Sequence, residues 1–194
     1  MLLALLSACT VLPEKIKVIE DLSPQYLLHE QVLQPINHWQ LKGRFAVSSD
    51  DDAWSGSLRW EQSMAQYSIH ILGPLFHSGV VLSGDDRHSS LALSAKIYHD
   101  KNAETLLYRY TGLRFPFENL QYWMFGLASP NLSISAREFD TAGRLALLEQ
   151  DGWRVYFKKY RETQEVILPA KIFIERFDLS IRLVFDQWNI QSGE

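Results

Sequence analysis

Cysteine is almost missing from this chain: Cys9 is the single one among 194 residues. No disulfide can form within the chain, and neither a redox dithiol nor a cysteine-based zinc cluster is available. Charge of one sign is not concentrated either. Nineteen Lys and Arg against 23 Asp and Glu leave a net charge of −4 with no basic run, which excludes nucleic acid as a partner. After the first few residues no apolar run approaches the roughly 18 residues that a spanning helix needs. Catalytic signatures are missing as well. Ser55-Gly56-Ser57 does not place a serine in a G-x-S-x-G elbow. His70 and His77 come without an H-E-x-x-H pattern or cysteine partners, so no metal site is expected. Asp50-Asp51-Asp52 and Asp85-Asp86 read as solvated turns, and no phosphate-binding glycine motif occurs. No internal repeat appears. The chain is not expected to be an enzyme, and no catalytic residue is assigned.

What is present starts at the N-terminus. The apolar run Leu2 to Leu6 leads through Ser7-Ala8 into Cys9. This resembles a bacterial lipobox, in which the cysteine thiol takes a diacylglyceryl group and the upstream peptide is removed. The competing reading is an ordinary start with a buried cysteine. Eight uncharged residues precede Cys9, whereas a secretory signal has about 15–30 residues with a basic start; a late-placed start or a truncated signal is therefore expected. Residues 1–8 read as a signal remnant that is removed. Residues 9–22 read as a lipidated N-terminus and tether, able to stretch at most about 45 Å. Residues 23–194 read as one domain, long enough for a sizeable core. Thr10 in place of aspartate after the cysteine points, by comparison with enteric lipoproteins, to the outer membrane.

A first helix is predicted from Ser23, as N-cap, with Pro24 at its first position and Leu28, Val32 and Pro35 on one side. From Trp39 the apolar period changes to two. Trp39, Leu41, Gly43, Phe45 and Val47 alternate with polar neighbours, as do Leu58 and Trp60, then Tyr67, Ile69 and Ile71. Shorter strands are predicted near Val80–Ser83, Leu91–Leu93 and Lys96–His99. Two helices interrupt: one capped by Asn102 and closed by Gly112, the other after Pro116 with Leu120, Trp123, Met124 and Leu127 as an apolar stripe. Strands return near Leu132–Arg137 and Leu145–Glu149. Asp151-Gly152 signals a hairpin into Trp153, Val155 and Phe157. Tyr156 to Tyr160 reads as a strand end. Lys171–Phe177 and Ser180–Trp188 form the last pair.

About eleven strands and three helices must share one core. A long antiparallel sheet with one apolar face has to close or cover that face. The predicted fold is therefore mainly β: a single-domain, open, incomplete antiparallel barrel with an α-helical lid over an apolar cavity. Periodicity alone leaves two readings level. Phe45, Trp60, Trp123, Trp153, Phe157 and Trp188 could line a ligand cavity or could fill the interior.

The stretch from Thr111-Gly112 through Pro116, Leu120 and Trp123-Met124-Phe125-Gly126 resembles the central signature of LolB, a family of outer-membrane lipoprotein receptors. Lys42-Gly43, Phe45-Ala46, Arg59-Trp60, Gly73-Pro74-Leu75, Leu168-Pro169-Ala170-Lys171 and Asp186-Gln187-Trp188 fit the same family in order. Arg44 and Phe76 depart from it, since small residues are usual at both places.

The resemblance implies a monomeric receptor, anchored in the outer membrane by palmitate-type acyl and diacylglyceryl groups on Cys9 and facing the periplasm. It implies no other cofactor. The receptor would accept acylated lipoprotein cargo from the periplasmic carrier LolA and insert it among the phospholipids of the inner leaflet. The alternative is a lipid-anchored carrier of another small apolar ligand. Gly-Pro marks a turn before Leu75 and Phe76, and large apolar residues at a turn tip are anomalous unless they fold back onto the sheet. By resemblance, Pro74, Leu75 and Phe76 form the membrane-insertion loop, with Leu75 projecting.

Overall fold

Alternating apolar patterns draw most of this chain into strands. The structure, a computed structural model, describes residues 23–50, 52–74, 76–112, 115–164 and 166–191. Cys9 and the 9–22 tether lie outside the described residues. In chain order the elements are α1 (Pro24–Leu33), β1 (His38–Ser48), β2 (Ala53–Ser63), β3 (Gln66–Gly73), β4 (Phe76–Gly84), β5 (Ser89–Leu93), β6 (Lys96–Asp100), α2 (Ala103–Thr111), α3 (Phe117–Trp123), β7 (Ile134–Phe139), β8 (Leu145–Gln150), β9 (Trp153–Thr163), β10 (Val166–Arg176) and β11 (Leu179–Ile190).

All eleven strands form one antiparallel sheet in the order β6-β5-β4-β3-β2-β1-β11-β10-β9-β8-β7. Two meanders are joined by the pairing of β1 with β11, and the sheet does not close: β6 and β7 are its free edges. These two edges are neighbours in sequence. The segment between them, which carries α2 and α3, therefore lies across the inner face. Phe117 meets Trp60 of β2 while Trp123 meets Trp153 of β9, so the sheet curls around this short segment. One continuous core results, from Leu41 and Trp60 through Leu120 and Trp123 to Ile172 and Leu183.

The central β1–β11 pair carries a bulge. Lys42 pairs with Gln187 but Gly43 pairs with Phe185, leaving Asp186 as the extra residue. The slip lets Phe185 and Trp188 both turn inward although they are an odd number of residues apart. A Cβ at Gly43 would come within 2.6 Å of the Val184 carbonyl oxygen, so the close approach requires glycine. On the outer face Arg44 holds the bulged carboxylate in a two-pronged grip, Nε to Oδ2 at 3.0 Å and Nη2 to Oδ1 at 2.8 Å. The guanidinium holds the Asp186 carboxyl below its usual range.

Four local expectations need correction. Leu28 and Val32 face solvent, and α1 buries Tyr26 and Leu33 instead. The helix packs Tyr26 on the ring of Phe139 and brings Leu33 near Trp39, and this packing, not the leucine spacing, decides which face turns inward. Ser23 occupies the N-cap position, but its hydroxyl donates to Gln25 Oε1 rather than capping a backbone N–H. The strand expected from Lys171 starts at Val166 and runs through Pro169. Proline fits because the β9–β10 register shifts beside it and β11 pairs with β10 only from Lys171 onward; its missing N–H leaves no ladder bond unmade. Tyr156 to Tyr160 accordingly lies inside β9 rather than at a strand end.

Gly43→Ala should cost about 1–3 kcal/mol, the usual range for overpacking, read as a lower urea midpoint at unchanged slope. The exposed Arg44→Ala should cost much less. An equal loss from both would place the strain outside the bulge.

Candidate functional site

The inner face of β1–β4 and the helical segment enclose an apolar cleft. From the sheet come Phe45, Trp60, Ile69 and Leu82, and from the opposite side Leu107, Phe117, Leu120 and Met124. Every side chain lining the cleft is apolar. Its free volume is about 40 Å³, room for a water or two and far below the roughly 300–1,000 Å³ of a small-molecule pocket.

The space is occupied by rings. Phe117 stacks on Trp60 at 5.1 Å with planes 18° apart and tilts against Tyr67 at 4.7 Å. Trp60 touches Trp39 at 5.4 Å, which in turn meets Trp188 and Phe125. The polar ends of two of these rings are tied down: Trp60 Nε1 donates to Gln62 Oε1, and the Tyr67 hydroxyl shares a hydrogen bond with Ser89 Oγ; the buried Trp188 Nε1 has no partner. Nothing in the cleft offers a nucleophile, an acid–base pair or a charge. No group of His, Cys, Asp and Glu able to hold a metal occurs among the described residues. Its chemistry is exclusion of water.

Of the six aromatic residues expected at a cavity, Phe45 and Trp60 border the cleft. Trp188 lies one ring further, against Trp39. Trp123 packs on Trp153 at 5.9 Å, away from the cleft, and Phe157 stacks on Tyr160. Pro74 is exposed in the β3–β4 turn and Phe76 opens β4, pairing with Gly73. Leu75 lies outside the described residues. His70 is exposed on β3, and Asp85 accepts hydrogen bonds from the Arg87 and His88 N–H groups in its turn.

Two devices that periodicity does not reveal hold the helical segment down. Gln150 is fully buried and makes four hydrogen bonds: its Oε1 accepts from Trp123 Nε1 and the Ser129 N–H, and its Nε2 donates to the Ser129 and Leu132 carbonyls. The second device is α1. Its Tyr26 hydroxyl accepts from the Ala128 N–H at 3.1 Å, and His29 Nε2 lies 3.3 Å from the Phe125 carbonyl oxygen, so the ring donates as the neutral Nε2–H tautomer. Gly126, at φ +76°, turns the chain between these contacts and ends the apolar stripe's helix at Trp123, short of Leu127. Burial lowers the affinity of His29 for a proton. The Phe125 carbonyl opposes this shift and the nearby Arg144 adds to it.

The family model described as outer membrane lipoprotein LolB matches residues 37–188. An outer-membrane lipoprotein LolB from Nitrosococcus oceani is 36% identical over 170 residues, spanning 86% of this chain and 85% of its own length. One from Pseudomonas paraeruginosa is 34% identical over 189 residues, spanning 96% and 91%. Among solved structures, a DUF1329 family protein from Desulfovibrio piger superposes with a TM-score of 0.56 at 8% identity, covering 88% of this chain and 93% of that one. That last likeness is one of fold alone.

The half-buried His29 gives a pH signature. Its folded pKa is depressed, so below the unfolded value of about 6.5 the unfolded chain binds a proton that the folded chain does not. Stability is therefore full above that pH and declines as pH falls from about 6.5 toward the folded value. His29→Gln, which keeps a neutral donor, should flatten this part of a melting-temperature profile. An unchanged profile would assign the effect to other groups.

Proposed function

The chain belongs to the outer-membrane lipoprotein LolB family, and from that premise we propose that it takes acylated lipoproteins from the periplasmic carrier LolA and releases their acyl chains into the inner leaflet of the outer membrane. The family serves lipoprotein localisation at the outer membrane and is not enzymatic. A lipid-anchored protein facing the periplasm accords with this, and no helix among the described residues is long and apolar enough to cross a membrane.

The observation that carries the proposal is a wholly apolar cleft walled on one side by the helical segment. Three acyl chains bring about 45 CH₂ groups, and at about 0.8 kcal/mol each their removal from water is worth about 35 kcal/mol. Chains with that term do not cross water free, so transfer runs between two dry cavities placed mouth to mouth. Once the large terms cancel, about 1.4 kcal/mol of extra affinity gives a tenfold bias toward the receptor. The closed cleft is too small for cargo, so loading requires Phe117 and its segment to leave Trp60 and Tyr67. The wall can do this because α2 and α3 pack by side chains across the open side of the sheet. Phe45, Trp60 and the facing Leu120 and Met124 would then line the acyl chains. The rings of Trp123, Trp153, Phe157 and Trp188 would lend the cleft a rigid frame. For release, Leu75, flanked by Pro74 and Phe76, would enter the bilayer and open a path.

Phe117→Ala should open the cleft. An environment-sensitive apolar dye should bind the unloaded variant more tightly than the wild type and be displaced by acylated cargo, with a stability loss of about 3–5 kcal/mol. Equal dye binding in both would mean that the ring does not gate the cleft. Leu75→Glu separates acceptance from release. Cargo should still pass from the carrier to the variant, but membrane-bound cargo should fall sharply as receptor-bound cargo accumulates, because an ionised carboxylate resists burial in lipid. Delivery at the wild-type rate removes the loop from the mechanism; failure already at acceptance moves Leu75 to the carrier interface.

A further inference from the structure

The start of α3 has no cap of its own. Pro116 stands at the N-cap position and offers no side-chain acceptor, so the first N–H groups need other partners. Phe117 donates back to the Phe115 carbonyl, and Asn119 and Leu120 donate to the Pro116 carbonyl. The Glu118 N–H donates instead to another helix, to Glu104 Oε1 in the first turn of α2, at 3.3 Å. The reciprocal bond comes from the N-cap of α2. Asn102 Oδ1 accepts from the Thr105 N–H, and its Nδ2 donates to Glu118 Oε1 at 3.1 Å. The result is a capping box divided between two helices. Burial raises the Glu104 pKa; the Glu118 N–H opposes this shift and the Glu118 carboxylate adds to it.

The helix that supplies the cap is fixed to the sheet edge. Asp100, at the end of β6, accepts from the Lys101 and Asn102 N–H groups and pairs with Arg109 at 3.3 Å. Glu104 therefore reaches out from a fixed support. The N–H that it holds belongs to the peptide group joining Phe117 to Glu118, the backbone of the ring that stacks on Trp60 in the cleft. A serine or aspartate at position 116 would cap α3 equally well without tying it to α2. Here the cap also opposes withdrawal of Phe117 from Trp60. Gln150 and the α1 side chains hold the chain only from Trp123 onward, at the other end of α3. We propose that Glu104 is the positioning residue of the Phe117 ring: by holding the Phe117–Glu118 peptide to α2, its carboxylate sets how often the ring leaves Trp60 and so how readily the cleft admits an acyl chain. The inference rests on the receptor reading for the movement of Phe117 and adds the residue that restrains it.

The test reads opening of the cleft by thiol labelling of the full chain on phospholipid vesicles. Leu82, 1% exposed on the sheet side of the cleft, is replaced by cysteine, and the chain with Leu82 intact gives any background from Cys9. Glu104→Ala should raise the labelling rate at 82 about tenfold, as expected for loss of one hydrogen bond to a charged acceptor. Glu104→Gln, whose carboxamide oxygen can take the same N–H, should stay close to the wild type. A second thiol, Ile174→Cys, lies fully buried outside the cleft and should label at an unchanged rate in both variants. In chains that carry Phe117→Ala, adding Glu104→Ala should change nothing further, because both act through one ring. Equal rises at 82 and 174, equal rates for Glu104→Ala and Glu104→Gln, or a full further rise beside Phe117→Ala would each make Glu104 a plain helix cap and overturn the proposal. Cargo transfer from the carrier to the wild-type chain keeps the two readings apart. Labelling as expected without transfer sinks the receptor reading alone, and transfer without the Glu104 effect sinks this one alone.

Discussion

Pairing of the first strand with the last governs everything else in this fold. Once β1 bonds to β11, two meanders become one sheet and the outermost strands are β6 and β7. Because these follow each other in sequence, the chain between them must return across the sheet, and right-handed twist turns the apolar face toward that crossing. A cover over the inner face is thus a consequence of connectivity. Helices suit the crossing because they satisfy their own backbone groups and need no bonds from the sheet they overlie.

The cover's C-terminal end is held differently from its middle. At the C-terminal end a saturated carboxamide, Gln150, and the α1 side chains Tyr26 and His29 fix the main chain from Phe125 to Leu132. Those bonds are buried or partly buried, and leaving a buried partner unpaired costs about 1–3 kcal/mol. Around Phe117 the contacts with the sheet are ring contacts and dispersion, and the hydrogen bonds run within the cover, from Asn102 Nδ2 to Glu118 Oε1 and from the Glu118 N–H to Glu104 Oε1. Directional bonds to the frame at one end, and apolar contacts with the sheet in the middle, thus divide the cover in two.

Much of this was legible in the sequence. The period-two runs from Trp39 to Phe45 and from Ile181 to Phe185 point to two strands, though not to their pairing with each other, Asp151-Gly152 to a hairpin, and Asn102 with Gly112 to the limits of α2, because each depends on local sterics or local hydrogen bonds. The sheet's count and openness also followed from those runs. The α1 face did not, since Leu28 and Val32 are as apolar as the residues that are buried and only tertiary packing separates them. The start of β10 was hidden by Pro169, whose harmlessness depends on which neighbour lacks a partner beside it. Among the aromatic residues, composition named the right kind of side chain but not its neighbours. Trp39 as the hub, and Trp123 as an anchor to Gln150, depend on contacts between residues distant in the chain.

The seam between β6 and β7 has a mechanical meaning. In a closed barrel, widening the lumen requires breaking ladder bonds, so capacity is bought with backbone hydrogen bonds. Here the seam has none to break. The stiffness of the ladder and the compliance of the lumen are set by different parts of the molecule. Amide hydrogens in β1, β2, β10 and β11 can therefore stay among the slowest to exchange whatever volume the helical cover leaves over them.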